Sequence, residues 1–247
     1  MNTNLELDRR HFLGLATGAG VLTLRADAPP TPATPDAHEY VSFLKAKGDP
    51  TVSPEGKWKP THADILGPFW ASGAPYRGKV TPPLEPGKLL VVRGRVWSHR
   101  TKEPLAKAVL DVWQADAKGR YDFQDHPVSE PRALVGGRQP KKADFRNRIR
   151  LVTDEEGYYE YETIKPASYR AGQQVRPSHI HYMAHAPGHS RLITQLYFKG
   201  DPAIAGDSFG KNLGAAHSPL IIATKNVKTP NGQYMSGTFD LVLAAGA

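Results

Sequence analysis

Short apolar runs separated by Gly, Pro and Asp turns are the feature that most limits what this chain can fold into. Several runs, such as 192–198, alternate with a period of two, which places apolar side chains on one face of a β-strand. The runs lie at 89–97, 108–114, 147–152, 158–164, 178–184, 192–198, 219–224 and 237–244. The pattern predicts an all-β fold, an antiparallel β-sandwich of immunoglobulin-like or transthyretin-like architecture with long loops.

Composition divides the 247 residues into three parts. Arg9 and Arg10 precede a mild apolar stretch and small residues, which predicts a twin-arginine signal peptide at 1–28. Residues 29–60 are rich in Pro, Thr and Asp and are typical of a linker or surface arm. The sandwich domain is expected at 61–247. We therefore expect export by the twin-arginine pathway to the periplasm or the extracellular space.

The absence of cysteine excludes disulfides, iron–sulfur clusters and cysteine-ligated zinc. Stable membrane insertion is not expected, because no apolar run reaches the roughly 18 residues needed to span a bilayer. The net charge of +8 is compatible with an anionic aromatic substrate. Nucleic-acid binding is not expected, because the Lys and Arg residues are scattered rather than clustered.

A His-x-His pair stands in one of the predicted strands, in the segment Arg176-Pro177-Ser178-His179-Ile180-His181. Side chains alternate along a strand, so His179 and His181 point to the same face. This geometry suits two imidazoles that ligate one metal ion. By contrast, His185 and His189 border a turn-like Ala-Pro-Gly loop and are expected to be solvated.

Two tyrosines precede the histidines in positions that strengthen the metal hypothesis. Tyr121 follows the predicted strand 108–114 after a Gly-Arg dipeptide, and Tyr169 closes the run 163–169. Two tyrosines followed by two histidines in this order resemble the intradiol ring-cleaving dioxygenases. Those are ferric enzymes that split catechols between the two hydroxyl carbons.

The resemblance extends roughly from Ile65 to Asp201. The segment 67–75 is similar to the catechol branch of the family, and the segments 112–121 and 157–166 are similar to protocatechuate 3,4-dioxygenase β chains. The resemblance implies four iron ligands: Tyr121, Tyr169, His179 and His181. It makes Tyr169 and His179 the axial ligands, and Tyr169 the ligand that the substrate displaces.

The resemblance also implies roles for residues that do not bind the metal. Arg176 is expected to stabilise negative charge that develops on the substrate, and Gln195 to orient reacting oxygen atoms by hydrogen bonding. Ile65 and Pro68 are expected on the substrate side of the site. The implied partners are a small aromatic diol and O₂, and a homo-oligomer is compatible with this reading.

The predicted donor set is chemically consistent with Fe(III). A free tyrosine has a pKa near 10, and a trivalent cation would deprotonate it outright. Two phenolates are hard oxygen donors, which favour Fe(III) over soft or divalent ions. Three other tyrosines, Tyr158, Tyr159 and Tyr161, are expected to be packing residues in a strand.

Two other interpretations are compatible with parts of the pattern. One is a non-enzymatic, transthyretin-like module that binds small ligands, and the other is a divalent-metal protein with a different activity. The sequence also departs from the protocatechuate pattern, because no Trp follows Tyr169 and the spacer from Tyr169 to Arg176 is short. We therefore expect a substrate pocket that differs from that pattern, and the identity of the catechol stays open.

Overall fold

The computed structural model describes residues 59–122, 145–207, 219–230 and 232–246. The signal peptide expected at 1–28 lies outside these ranges, as does the expected linker 29–60 except for its last two residues. Within the described ranges, no helix is long and apolar enough to cross a membrane.

The described residues form twelve β-strands and a 3₁₀ helix at Pro202–Gly206. The strands are β1 (Leu89–Ser98), β2 (Val109–Gln114), β3 (Arg148–Val152), β4 (Tyr158–Ile164), β5 (Tyr169–Ala171), β6 (Gln174–Arg176), β7 (His179–His185), β8 (Leu192–Phe198), β9 (Ile221–Ile222), β10 (Thr224–Thr229), β11 (Gly232–Thr238) and β12 (Leu241–Leu243).

The strands form two five-stranded sheets and one two-stranded sheet. In the first sheet, β1 pairs with β4 along one edge, while β11 and then β12 pair along its other edge, and β10 extends β11. The second sheet has the order β3-β2-β7-β8-β9. The two-stranded sheet is the hairpin β5–β6.

The main core combines apolar side chains from both large sheets. Val92 and Val96 of β1 belong to the same buried cluster as Val112, Ile180 and Leu196 of the second sheet. Alternation along the strands explains this arrangement, because every second side chain of each strand turns to the same face. Packing of two sheets through one apolar core is the β-sandwich architecture, so the all-β sandwich prediction is confirmed.

Strand pairing differs from the expected antiparallel arrangement at three places. The pairs β1–β11, β1–β12 and β8–β9 are parallel. The runs expected at 219–224 and 237–244 each divide into parts of two strands, and the hairpin β5–β6 was not predicted. Periodicity reports which face a side chain takes but not which strands become neighbours, and three-residue strands are too short to show a period.

Candidate metal centre

Strand β7 holds the two histidines on the face of the second sheet that lies opposite the main core. Ile180 and Tyr182 belong to the core cluster, so the alternating His179 and His181 turn the other way. Both histidines are nonetheless buried, with 2% and 1% of their surface exposed. The predicted same-face arrangement is therefore present, in a site shielded from water.

Strand register determines which side chains surround the histidines. His179 lies opposite Tyr197 on β8, and His181 lies between Gln195 on β8 and Trp113 on β2. The rings of Trp113 and His181 are nearly parallel, with centroids 4.8 Å apart and an interplanar angle of 5°. This stacking limits rotation of the His181 ring.

A tight turn after β2 places Tyr121 beside Tyr169. Asp116 Oδ1 accepts hydrogen bonds from the backbone amides of Lys118 at 2.7 Å and Arg120 at 2.9 Å. Gly119 has a φ of +78°, and a Cβ at this position would lie 2.8 Å from the Cβ of Tyr169. A glycine is therefore required both by the turn and by the close approach of the second tyrosine.

Tyr169 and Arg176 are cross-strand partners in the hairpin β5–β6. Asp201 fixes the hairpin to β7, because its Oδ2 accepts hydrogen bonds from Ser168 Oγ at 3.1 Å and from the Ser178 amide at 2.8 Å. Ser168 precedes Tyr169 and Ser178 precedes His179. One carboxylate thus holds together two segments that carry expected ligands.

The four expected ligands converge on one point. Tyr121 Oη lies 3.2 Å from His179 Nε2 and 3.1 Å from His181 Nε2. The Tyr169 ring centroid lies 5.6 Å from the ring centroids of Tyr121 and His179. The structure therefore brings together all four side chains that the sequence selected.

Both histidines are held as neutral imidazoles. His179 Nδ1 donates a hydrogen bond to the Pro177 carbonyl oxygen at 2.6 Å, which leaves the Nε2 lone pair facing Tyr121. Burial, with a smaller effect of Arg176, lowers the pKa of His179 to about 3. Burial and the neighbouring His179 place the pKa of His181 well below its usual value. A neutral imidazole nitrogen is the form that binds a metal ion.

The two tyrosines are held as neutral phenols unless a cation is present. Burial raises the pKa of Tyr121 well above 10, and Tyr169 adds to this increase. Burial also raises the pKa of Tyr169, against the opposing effect of the nearby Arg176 charge. Ionisation of these phenols therefore needs a strong local positive charge, which a bound metal ion supplies.

The donor set at this point fits Fe(III). Across the described ranges, no cluster of three or more His, Cys, Asp or Glu side chains could hold a metal ion. A metal at His179 and His181 would therefore draw its further protein ligands from the two tyrosines. Two imidazole nitrogens with two phenolate oxygens form a hard, anionic donor set that suits a trivalent iron.

Arg176 and Gln195 lie next to the ligands and contact each other. The guanidinium of Arg176 is buried, with 3% of the residue exposed, and its Nη2 donates to Gln195 Oε1 at 2.8 Å. Its Nε lies 3.3 Å from Asp207 Oδ1 in a buried ion pair. A buried charge needs such a partner, because leaving water is costly for an isolated ion.

Ile65 and Pro68 lie in a segment that crosses the His181 side of the site. The Ile65 carbonyl oxygen accepts a hydrogen bond from Gln195 Nε2 at 2.9 Å, while 36% of Ile65 is exposed. Gly67, between the two residues, has a φ of +71°, and a Cβ there would lie 3.1 Å from His181 Cε1. The segment therefore covers the site closely, and substrate contact by Ile65 and Pro68 stays a prediction.

Several residues that shape the site were not selected from the sequence. Phe69 stacks on Tyr121 with centroids 4.3 Å apart, as Trp113 does on His181. Asp122, directly after Tyr121, forms a buried ion pair with Arg148, whose Nε donates to Asp122 Oδ2 at 2.8 Å. The sequence shows that Asp122 follows Tyr121, but Arg148, the ion-pair partner of Asp122, lies 26 residues further along the chain.

Residues outside the expected site are placed mostly as predicted. Tyr158, Tyr159 and Tyr161 are buried packing residues, and His185 is exposed. His189 differs, because it is half-buried and its Nε2 lies 3.0 Å from Ser98 Oγ. The turn that contains His189 folds back against the end of β1, which sequence neighbours alone do not show.

The known proteins that this chain resembles are dioxygenases. A protein-family profile described as "Dioxygenase" matches residues 65–245. The protocatechuate 3,4-dioxygenase beta chain of Burkholderia cepacia is 38% identical over 162 residues, which cover 64% of this chain and 65% of the relative. The chlorocatechol 1,2-dioxygenase of Rhodococcus opacus is 30% identical over 232 residues, which cover 84% of this chain and 82% of the relative.

A solved structure shows the same fold. The dioxygenase domain of a dioxygenase–carbohydrate-binding protein fusion from the cellulolytic bacterium Streptomyces sp. SirexAA-E matches with a TM-score of 0.57 and 29% identity. The match covers 76% of this chain and 100% of that domain. The chain spans only part of some relatives, with 49% and 62% of the length covered in two of them.

Proposed function

The chain belongs to the intradiol ring-cleavage dioxygenase family, and from this premise we propose that it is an Fe(III)-dependent enzyme. The proposed reaction is cleavage of the aromatic ring of a catechol-type substrate by O₂, which gives a cis,cis-muconate-type dicarboxylic acid. The observation that carries the proposal is the convergence of Tyr121, Tyr169, His179 and His181 in one buried site.

The proposed iron site assigns a distinct task to each ligand. His179 and His181 contribute neutral nitrogens through Nε2, and Tyr121 and Tyr169 contribute phenolate oxygens. When bound, Fe(III) would withdraw electron density from a catecholate and make its ring reactive toward O₂. Stacking by Trp113 and Phe69 keeps the His181 and Tyr121 rings in place while substrate enters.

Tyr169 is the residue proposed to move a proton. Its Oη would accept one of the two catechol protons as a substrate oxygen replaces it, so that one negative charge leaves the metal site when another enters. Tyr169 is only half-buried, whereas Tyr121 is 5% exposed and held under Phe69. Greater exposure and a position on a short hairpin make Tyr169 the easier of the two tyrosines to displace.

Arg176 and Gln195 are proposed to act on the substrate rather than on the metal. Arg176 is a fixed positive charge in a water-poor site, where it stabilises negative charge that develops on the ring and its oxygens. Gln195 can orient reacting oxygen atoms, because it lies opposite His181 in the sheet. Neither side chain needs to reorganise during the reaction, since they are hydrogen-bonded to each other and Gln195 also donates to the Ile65 carbonyl oxygen.

The experiment that tests the iron assignment is metal analysis with an absorption spectrum of the purified protein. We expect about one iron per chain and a reddish colour, because tyrosinate-to-Fe(III) charge transfer falls in the visible range. A colourless protein with stoichiometric zinc would contradict the assignment and favour a divalent-metal protein.

Export by the twin-arginine pathway is a separate proposal that rests on Arg9 and Arg10. The signal is read by a receptor, so a Lys pair of the same charge should not replace it. We expect the double variant Arg9→Lys, Arg10→Lys to stay in the cytoplasm. Unchanged export of this variant would overturn the proposal without affecting the iron site.

A further inference from the structure

The buried hydroxyl of Tyr197 lies next to Arg176 and Gln195 and has no role in the mechanism proposed above. Tyr197 is 0% exposed, and its ring centroid lies 5.8 Å from that of His179. Its Oη lies 2.9 Å from Asp64 Oδ2, 3.2 Å from Arg176 Nη2 and 3.0 Å from Gln195 Oε1. One hydroxyl therefore contacts an acid, the arginine and the glutamine at the same time.

The directions of these hydrogen bonds follow from the atoms involved. A tyrosine hydroxyl has one proton, and both Asp64 Oδ2 and Gln195 Oε1 can only accept it. The charged carboxylate is the stronger acceptor, so Tyr197 donates to Asp64. Tyr197 Oη then accepts from Arg176 Nη2, which also donates to Gln195 Oε1 at 2.8 Å. The two protons of Nη2 thus have two acceptors, and both acceptors belong to β8.

Asp64 is itself fixed, which makes it a suitable anchor. Its amide donates to the Ile193 carbonyl oxygen at 2.9 Å, and its Oδ1 accepts from the Ile65 amide at 2.7 Å. Its remaining oxygen, Oδ2, holds the Tyr197 hydroxyl. Asp64 therefore joins β8 to the segment that carries Ile65 and Pro68 on the expected substrate side.

We propose that Tyr197, anchored by Asp64, is a positioning residue that holds Arg176, and through it Gln195, in the orientation needed for turnover. The assignment rests on the proposed function, because it acts through Arg176 and Gln195. Without the Tyr197 hydroxyl, Arg176 Nη2 loses one of its two acceptors on β8. The guanidinium then has more freedom to turn, and its charge is less well placed when the substrate becomes negative.

The test is Tyr197→Phe in the full-length, iron-loaded protein, with catechol as substrate. The ring stays and only the hydroxyl is lost, so iron per chain and the visible band should not change. We expect kcat to fall roughly ten-fold, as the loss of one buried hydrogen bond to a charged group predicts, while KM stays within about two-fold. Tyr161→Phe is the matched control, because Tyr161 is 1% exposed and its hydroxyl bonds Tyr182 in the main core.

A second comparison shows whether Tyr197 acts through Arg176. In an Arg176→Ala protein, Tyr197→Phe should lower kcat by less than about two-fold further, because residues that act as a unit are not additive. Asp64→Ala should lower kcat by a similar factor. The double variant Asp64→Ala, Tyr197→Phe should have a kcat within about two-fold of that of Tyr197→Phe alone.

Three results would overturn the assignment. A Tyr197→Phe protein with wild-type kcat shows that the hydroxyl has no role in turnover. Loss of iron in that variant shows that Tyr197 supports His179 instead, and a full ten-fold effect in the Arg176→Ala background shows action by another route. A wild-type protein that turns over no catechol overturns the proposed function itself, and the positioning role with it.

Discussion

Tyr169 and Arg176 lie directly opposite each other across the hairpin β5–β6, so the proposed displaceable ligand and the proposed catalytic cation share one face of a two-stranded sheet. The Arg176 charge lowers the pKa of Tyr169, against the larger effect of burial. The short spacer between these residues, a departure from the protocatechuate pattern, is the tight turn of this hairpin. The short spacer therefore still keeps the Tyr169 and Arg176 side chains at the site.

Tyr169→Phe should separate iron binding from turnover. Tyr121, His179 and His181 remain, so we expect the variant to keep part of its iron. Its visible band should change, because one tyrosinate donor is lost, and turnover should fall, because one acceptor for a catechol proton is lost. The measurements are iron per chain, the absorption spectrum and oxygen uptake. An unchanged spectrum would show that Tyr169 is not a ligand.

Arg176→Ala should lose turnover without a change in the metal site. The guanidinium is not a ligand, so the iron content and the visible band should be retained. We expect kcat to fall on the order of 10²-fold or more, as happens when a fixed donor that stabilises transition-state charge is removed. Full activity on the best catechol would exclude Arg176 from the mechanism. Arg170→Ala, which changes an exposed neighbour in the same hairpin, is the control.

His181→Ala should abolish both iron binding and activity, because it removes one of two nitrogen ligands from the buried site. His185→Ala is the matched control on the same strand, since its side chain is exposed and lies at the far end of β7. Metal analysis and oxygen uptake of the two variants are the measurements. Equal losses in both would mean that the metal site lies elsewhere.

Asp116→Ala should weaken the turn that carries Tyr121. Burial raises the pKa of Asp116, but hydrogen bonds from the Arg120 and Lys118 amides outweigh it and leave the pKa below 3.8. A lowered carboxyl pKa contributes stability above the unfolded-state value, and this contribution disappears as the pH falls through the folded-state value. We expect the variant to lose about 1 kcal/mol of unfolding free energy near neutral pH.

The difference in stability between wild type and Asp116→Ala should depend on pH. The difference in unfolding free energy between wild type and Asp116→Ala should be constant from neutral pH to about pH 5 and should narrow in more acidic solution. Denaturant unfolding at several pH values measures it. A gap that widens on acidification would mean that Asp116 does not act as a carboxylate acceptor in the turn.

Much of the sandwich follows from local pattern. The runs at 158–164 and 192–198 match β4 and β8 from end to end, because alternating apolar residues in both strands face a single core. The parallel pairing of β1 with β11 and β12 could not be predicted, since it joins residues near 90 to residues near 240. Such contacts depend on the whole fold rather than on any local segment.

The site also has features that the local sequence predicts and features that it does not. The histidine pair is a local signal, because its geometry follows from the period of one strand. The ion pairs of Arg176 with Asp207 and of Arg148 with Asp122 join residues that are far apart in sequence. The sequence shows that these charges exist, but only the folded chain shows which of them are buried together.

The most direct test of intradiol cleavage is product analysis after catechol is incubated with the iron-loaded protein and O₂. We expect cis,cis-muconic acid, formed in equal amount to the O₂ consumed, because the ring opens between the two hydroxyl carbons and both oxygen atoms enter the product. The iron-free protein should give none. Consumption of catechol that yields a yellow ring-opened semialdehyde, or no ring-opened product from any catechol tested, would contradict intradiol cleavage.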